Sequence, residues 1–159
     1  MNLTKHPAVS SDRVVLSGEA ASLGELRAFE APSQNFVLVV VADTRDEEER
    51  ALVETAQTLV RAGASYVCCW GPDCKRFHDC FDEADLMVNG EGPSDHRLVT
   101  TWHKDEPLEE VLWFAINTAW PNYAYESTTD TVIALSIGAA DWASRITRYL
   151  DAGAPLRDA

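Results

Sequence analysis

The stretch FVLVVVAD, residues 36–43, restricts the fold more than any other part of the chain. It is continuously apolar and rich in β-branched residues, so as a strand it must be covered on both faces, as strands inside a parallel sheet are. The next segment, TRDEEERALVETAQTLVRAGA, sets Leu52, Ala56, Leu59, Val60 and Gly63 at helical spacing. Acids crowd its first turn, and Arg61 with Gly63 closes its end, as the helix dipole and the glycine preference beyond a C-terminus require.

The same alternation continues. SYVCCW (65–70) reads as a short buried strand, and GPDCKRFHDCFDEADL as a helix with Gly71 as N-cap and Pro72 at its first position. RLVTTWH (97–103) alternates like a strand after the loop NGEGPSD. Pro107 opens the helix PLEEVLWFAINTAW and Pro121 stops it. DTVIALSIG (130–138) is a further strand, and ADWASRITRYLDAG an amphipathic helix with Trp142, Ile146, Tyr149 and Leu150 on one face. DRVVLSG and SLGELRAF add a strand and a helix at the N-terminal side. Repeated strand–helix order predicts an α/β fold: one three-layer domain over 12–152, with a mostly parallel sheet of four to five strands, helices on both faces and a Rossmann- or flavodoxin-like arrangement. Residues 1–11 and 153–159 fall outside the pattern and are expected to be flexible.

Charge narrows the partners. With 26 acids against 13 bases the formal charge is −13, which argues against nucleic acid and anionic membrane and leaves a protein partner, possibly a basic one. No run of about 18 uncharged apolar residues exists to span a bilayer. The N-terminus MNLTKHPAVSSDR lacks the apolar core of a signal peptide. The four cysteines therefore suit a reducing, cytoplasmic setting rather than disulfides.

Ligands of open parallel sheets bind beyond the carboxyl ends of the strands. Those ends carry Asp43 and Thr44, Trp70 to Cys74, Thr101 to His103, and Ser136 with Gly138. Four chemistries compete there. Cys74, in the first helical turn, could be a nucleophile with His103 as base and Asp73 or Asp43 as orienting acid. Yet Cys74, Phe77, Cys80, Phe81 and Ala84 form one apolar helical face, which favours a core role. A metal is not favoured, because C-C-x4-C-x5-C matches no common zinc spacing; if one bound, Cys74, His78 and His103 would hold it. The acids of DTRDEEER fit a helix N-terminus better than a magnesium site, for neither a D-x-D pair nor a later Lys accompanies them. Glycine-rich phosphate loops are absent, so no cofactor is expected, and Gly138 alone could approach a phosphate by its backbone. Trp70 and Trp102, at strand ends beside Asp73 and Thr101, form the best candidate for a ligand or partner surface. Trp113 and Trp142 sit at apolar helical positions and read as core.

The segments CCWGPDCKRFHD and TTWHKDEPLEEVLWF resemble an uncharacterised family of small bacterial α/β domains, catalogued as a domain of unknown function. The resemblance spans about residues 36–125, with WGPDC and TTWH as its most specific strings. It implies the fold and a bacterial cytosolic origin, and no reaction. The function expected is therefore a non-catalytic interaction or regulatory module, such as an accessory or immunity-like protein. The alternative is a small enzyme or ligand sensor using Asp43, Cys74 and His103.

Overall fold

A computed structural model describes residues 1–7 and 11–156. The elements follow in the order β1 (Thr4–His6), β2 (Val14–Ala20), a 3₁₀ helix (Leu23–Ala28), β3 (Asn35–Val41), α1 (Glu49–Ala62), β4 (Ala64–Trp70), α2 (Cys74–Asn89), β5 (Val99–Trp102), α3 (Leu108–Asn117), α4 (Tyr123–Glu126), β6 (Thr129–Ile137) and α5 (Ala140–Asp151). They build one six-stranded sheet ordered β1-β2-β6-β3-β4-β5, parallel except for β1. The strand count thus exceeds the expected four to five.

The extra strand comes from the segment ahead of residue 12. Thr4–His6 pairs antiparallel with β2, and burial of His6 against that strand fixes it. The other end also extends past its expected boundary, since Ala154 is buried among α3 and α5. Residues 8–10 and 157–159, included in the ends expected to be flexible, lie outside the described residues. SLGELRAF forms a 3₁₀ helix rather than an α-helix, with Leu23 and Leu26 buried.

The two faces of β3 explain the continuous apolar run. Phe36, Leu38 and Val40 pack with the 3₁₀ helix, α1 and α2, while Val37, Val39 and Val41 pack with α3 and α5. Cys69 and Cys68 divide between the same two cores, as strand alternation requires. From β3 the chain steps to β4 and then β5 along one face, through α1 and α2. It returns beneath the opposite face, through α3 and α4, and inserts β6 between β2 and β3. The parallel strands run β2-β6-β3-β4-β5, in which β5-β4-β3-β6 repeats the first four places of the 3-2-1-4-5-6 doubly wound order and β2, earlier in the chain, takes the place beside β6. Arg13 anchors this return: its guanidinium donates to the carbonyls of Ala115 (2.7 Å), in the last turn of α3, and Ala119 (2.6 Å), just beyond it. No helix among the described residues is long and apolar enough to cross a membrane.

Candidate functional site

Neighbouring strands whose following helices lie on opposite faces leave a crevice between their carboxyl ends. β4 and β5 are such a pair: β4 leads into α2 on one face and β5 into α3 on the other. A cleft of about 860 Å³ opens there, walled by Trp70, Trp102 and Trp142 and floored by Gly71 to Cys74 and His103 to Glu106.

The floor is held by the ends of β3 and β4 continuing side by side. The amide of Ala42 donates to the Trp70 carbonyl (3.1 Å) and that of Thr44 to the Pro72 carbonyl (3.2 Å). The Thr44 hydroxyl donates to the Asp73 carbonyl (2.8 Å), and Arg76 reaches back to the Thr44 carbonyl. This close pairing requires Gly71, at φ 123°. The helix consequently starts later than its Pro72 suggests: Asp73, at φ 57°, is the N-cap, and Cys74 is the first residue of α2 rather than the third.

Cys74 lines the cleft but is 4% exposed. Burial pushes its thiol up, although the backbone N–H groups of His103, Cys74 and Lys75 pull the other way. The helix N-terminus therefore acts on this sulfur as expected, and desolvation outweighs it. His103 does not serve Cys74. Its Nδ1 lies 2.8 Å from the Glu106 carboxylate and its Nε2 2.8 Å from the Thr101 hydroxyl, with the ring against Phe114. A carboxylate only accepts, so Nδ1 carries a proton, and both ring nitrogens are engaged away from Cys74. Asp43 is engaged elsewhere: Arg45 grips its carboxylate by Nε and Nη2 (3.0 and 2.6 Å), which holds the acid below its ordinary range. Asp43, Cys74 and His103 are thus not assembled into one reacting group.

The metal set is not assembled either. Among the described residues, the His, Cys, Asp and Glu donors that cluster within 4.8 Å of one another belong to His78, Asp79 and Asp82. His78 sits over the outer edge of β5, beside Thr100 and Trp102, whereas His103 turns to the opposite face against Phe114. Gly138 takes φ 82° and donates to the Ala20 carbonyl, beside β2 and away from the cleft. Thr101 lies beneath the cleft floor, bonded to His103.

The tryptophan expectation fares differently. Trp102 is 44% exposed, with one side against the His78 ring (centroids 4.6 Å) and the Lys75 ammonium 5.5 Å from its centroid. Trp70 donates its indole N–H to the Glu106 carbonyl (2.7 Å) and meets Trp142 edge-to-face at 5.6 Å and 85°. Trp142 was expected in the core; it is partly buried and forms a cleft wall, because α5 begins at the level of the strand ends. Glu106, Asp105 and Lys104 were missed, though a carboxylate three residues after a histidine across a turn is a signal that HKDE carries. Asp105, like Asp73, has a left-handed backbone, at φ 61°. Neither carboxylate has an ion-pair partner among the described residues.

The chain belongs to the family described as domain of unknown function DUF7684, which matches residues 3–152. No curated protein and no solved structure matches it.

Proposed function

We propose that the cleft between β4 and β5 is a non-catalytic binding site that receives a cationic segment of a basic protein partner. The observation that carries this reading is the combination of Trp70, Trp102 and Trp142 with the two unpaired carboxylates of Asp73 and Asp105 around one opening. Aromatic faces attract ammonium and guanidinium groups, and perpendicular walls such as Trp70 and Trp142 bracket them from two directions. The chain already uses these faces so: Arg145 lies 5.8 Å from the Trp70 centroid and Lys75 5.5 Å from that of Trp102. The charge of −13 favours the same partner by steering it at long range. Four unpaired thiols suit the cytoplasm as the place of action. A thiol- or metal-dependent enzyme built on Asp43, Cys74 and His103 has the separate engagement of all three against it.

The test is a titration with a short arginine- and lysine-rich peptide, read by tryptophan fluorescence, with a glutamate-rich peptide of equal length as control. The basic peptide gives a saturable change that weakens with salt, and D73N/D105N lowers its affinity about threefold to thirtyfold. A linear response, or the same affinity in D73N/D105N and W102A, refutes the reading.

A further inference from the structure

Among the described residues there are three carboxylate–imidazole–hydroxyl relays; in Asp79–His78–Thr100 the hydroxyl donates to the Asp82 carboxylate, and the other two differ in what their hydroxyl faces. In the first, Glu106–His103–Thr101, the hydroxyl lines no cavity described at the cleft. In the second, Asp151 lies 2.6 Å from Nδ1 of His6, whose Nε2 lies 2.6 Å from Oγ of Ser17. The three residues come from α5, β1 and β2, and the His6 ring is fully buried. Since the carboxylate only accepts, Nδ1 carries a proton, and in the neutral ring Nε2 then accepts from the Ser17 hydroxyl, the tautomer a general base requires. Ser17 also lines a separate cavity of about 370 Å³ between β2, β6 and α5, as do Glu19, Ser136 and Thr147. This cavity sits at another place where neighbouring strands, β2 and β6, send their chains to opposite faces.

A second observation in the same cavity points to a ligand. Ser136 is 1% exposed and its Oγ is the buried side-chain polar atom that lacks any hydrogen-bond partner among the described residues. Native chains leave few such atoms, and those they leave call for a reason. The sheet register pairs Ser17 with Ala134 and Glu19 with Ser136, so the orphan hydroxyl stands two residues further along β6 on the face that Ser17 occupies.

We propose that Ser17, His6 and Asp151 form a hydrolytic site for small, uncharged carboxylic esters, with Ser136 as the donor to the oxyanion. Ser17 Oγ bonds to the ester carbonyl carbon while its proton passes to His6 Nε2. Asp151 holds the ring and stabilises the imidazolium. The carbonyl π bond opens to an oxyanion that accepts from the Ser136 hydroxyl, and its collapse breaks the bond to the alkoxide, which leaves as an alcohol with the proton from Nε2. Water then repeats both steps on the acyl-serine, releasing the carboxylic acid and restoring Ser17. The cavity limits the substrate to a small one, and the Glu19 carboxylate in its wall repels anionic esters. A single side-chain hydroxyl serves the oxyanion, so turnover is slow.

The test is covalent labelling of the full chain with a fluorophosphonate, read by intact mass and peptide mapping, beside hydrolysis of p-nitrophenyl acetate. One adduct on Ser17 is expected, absent in S17A and formed about a hundredfold more slowly in D151N. Asp151 has an exposed side chain, so D151N keeps the fold even where a substitution of buried His6 does not. S136A is expected to label Ser17 but to hydrolyse the ester about tenfold more slowly. No adduct, an adduct on another residue, or equal labelling rates in wild type and D151N overturns the proposal. The basic-peptide titration is unaffected by either outcome.

Discussion

Gly71→Ala is the substitution on which the account of the cleft depends most directly. A Cβ at residue 71 would stand 2.0 Å from the Ala42 carbonyl oxygen and 2.9 Å from its carbon, at a φ of 123° that side-chain-bearing residues rarely adopt. Neither partner can retreat, because Ala42 and Thr44 are bonded to Trp70 and Pro72 on either side of the contact. The strained backbone costs about 1–3 kcal/mol and the forced displacement of packed chain another 1–3 kcal/mol, for a sum near 4 kcal/mol. At about 2–4 °C per kcal/mol for a domain of this size, the melting temperature falls by about 8–16 °C. Urea denaturation followed by tryptophan fluorescence, with a thermal melt by circular dichroism, measures both quantities. Gly92→Ala is the control: an added Cβ meets nothing within 4 Å, and its stability stays within about 0.5 kcal/mol of wild type. In the surviving folded fraction of Gly71→Ala, Trp70 and Asp73 shift, so the peptide-induced fluorescence change is lost as well. A loss below about 1 kcal/mol would refute the claim that this close approach holds the cleft floor.

Three further outcomes follow from buried groups. Cys68, Cys69, Cys74 and Cys80 are each at most 4% exposed, so in Ellman titration at pH 8 the folded protein reacts at least about a hundredfold more slowly than the urea-unfolded chain; prompt native labelling of Cys74 would revive its candidacy as a nucleophile. Burial pushes the Cys68 thiol up from 9.0 to about 12, so between those values the unfolded chain has released a proton that the folded one keeps. Stability from this group is complete below pH 9 and declines by about 4 kcal/mol as pH rises to 12, a slope seen in urea midpoints and reduced in C68V; a flat profile from pH 8 to 11 contradicts it. Arg13→Met removes both guanidinium bonds from the Ala115 and Ala119 carbonyls and destabilises by about 2–4 kcal/mol, with faster amide exchange at the end of α3; a change under about 0.5 kcal/mol would mean that Arg13 does not cap that helix.

The layers were legible because they depend on local pattern. A strand such as β3, apolar at consecutive positions, admits one environment, and the spacing of Leu52, Ala56, Leu59 and Val60 admits one helix face. The additional strand escaped notice because Thr4–His6 is short and only its last residue is buried; its place is decided by what His6 touches in α5 and β2. Strand order escaped for a related reason. Insertion of β6 between β2 and β3 is a contest among edges of similar apolar character, and no single segment records the result.

The site shows the same division more sharply. Its position at the strand ends was legible from architecture, and Trp70, Asp73, Cys74, Trp102 and His103 do line the cleft. The chemistry assigned to them was not, because each role depends on a balance that neighbours decide. Cys74 receives the backbone N–H groups that favour a thiolate, yet the residues that bury it reverse the sign. His103 could have turned toward α2, but Glu106 lies within one turn of chain and Thr101 on the same strand face, so both nitrogens are satisfied locally. The more distant relay is harder still to foresee. His6 and Ser17 are 11 residues apart and His6 and Asp151 are 145 apart, so no spacing rule links them. What links them is the pairing of β1 on β2 and the seating of the end of α5 against both; among the described residues the Ser136 hydroxyl of neighbouring β6 is buried without a partner. Local spacing reveals groups that are satisfied by near neighbours in the chain, whereas groups that meet across the sheet become visible only once its register is known.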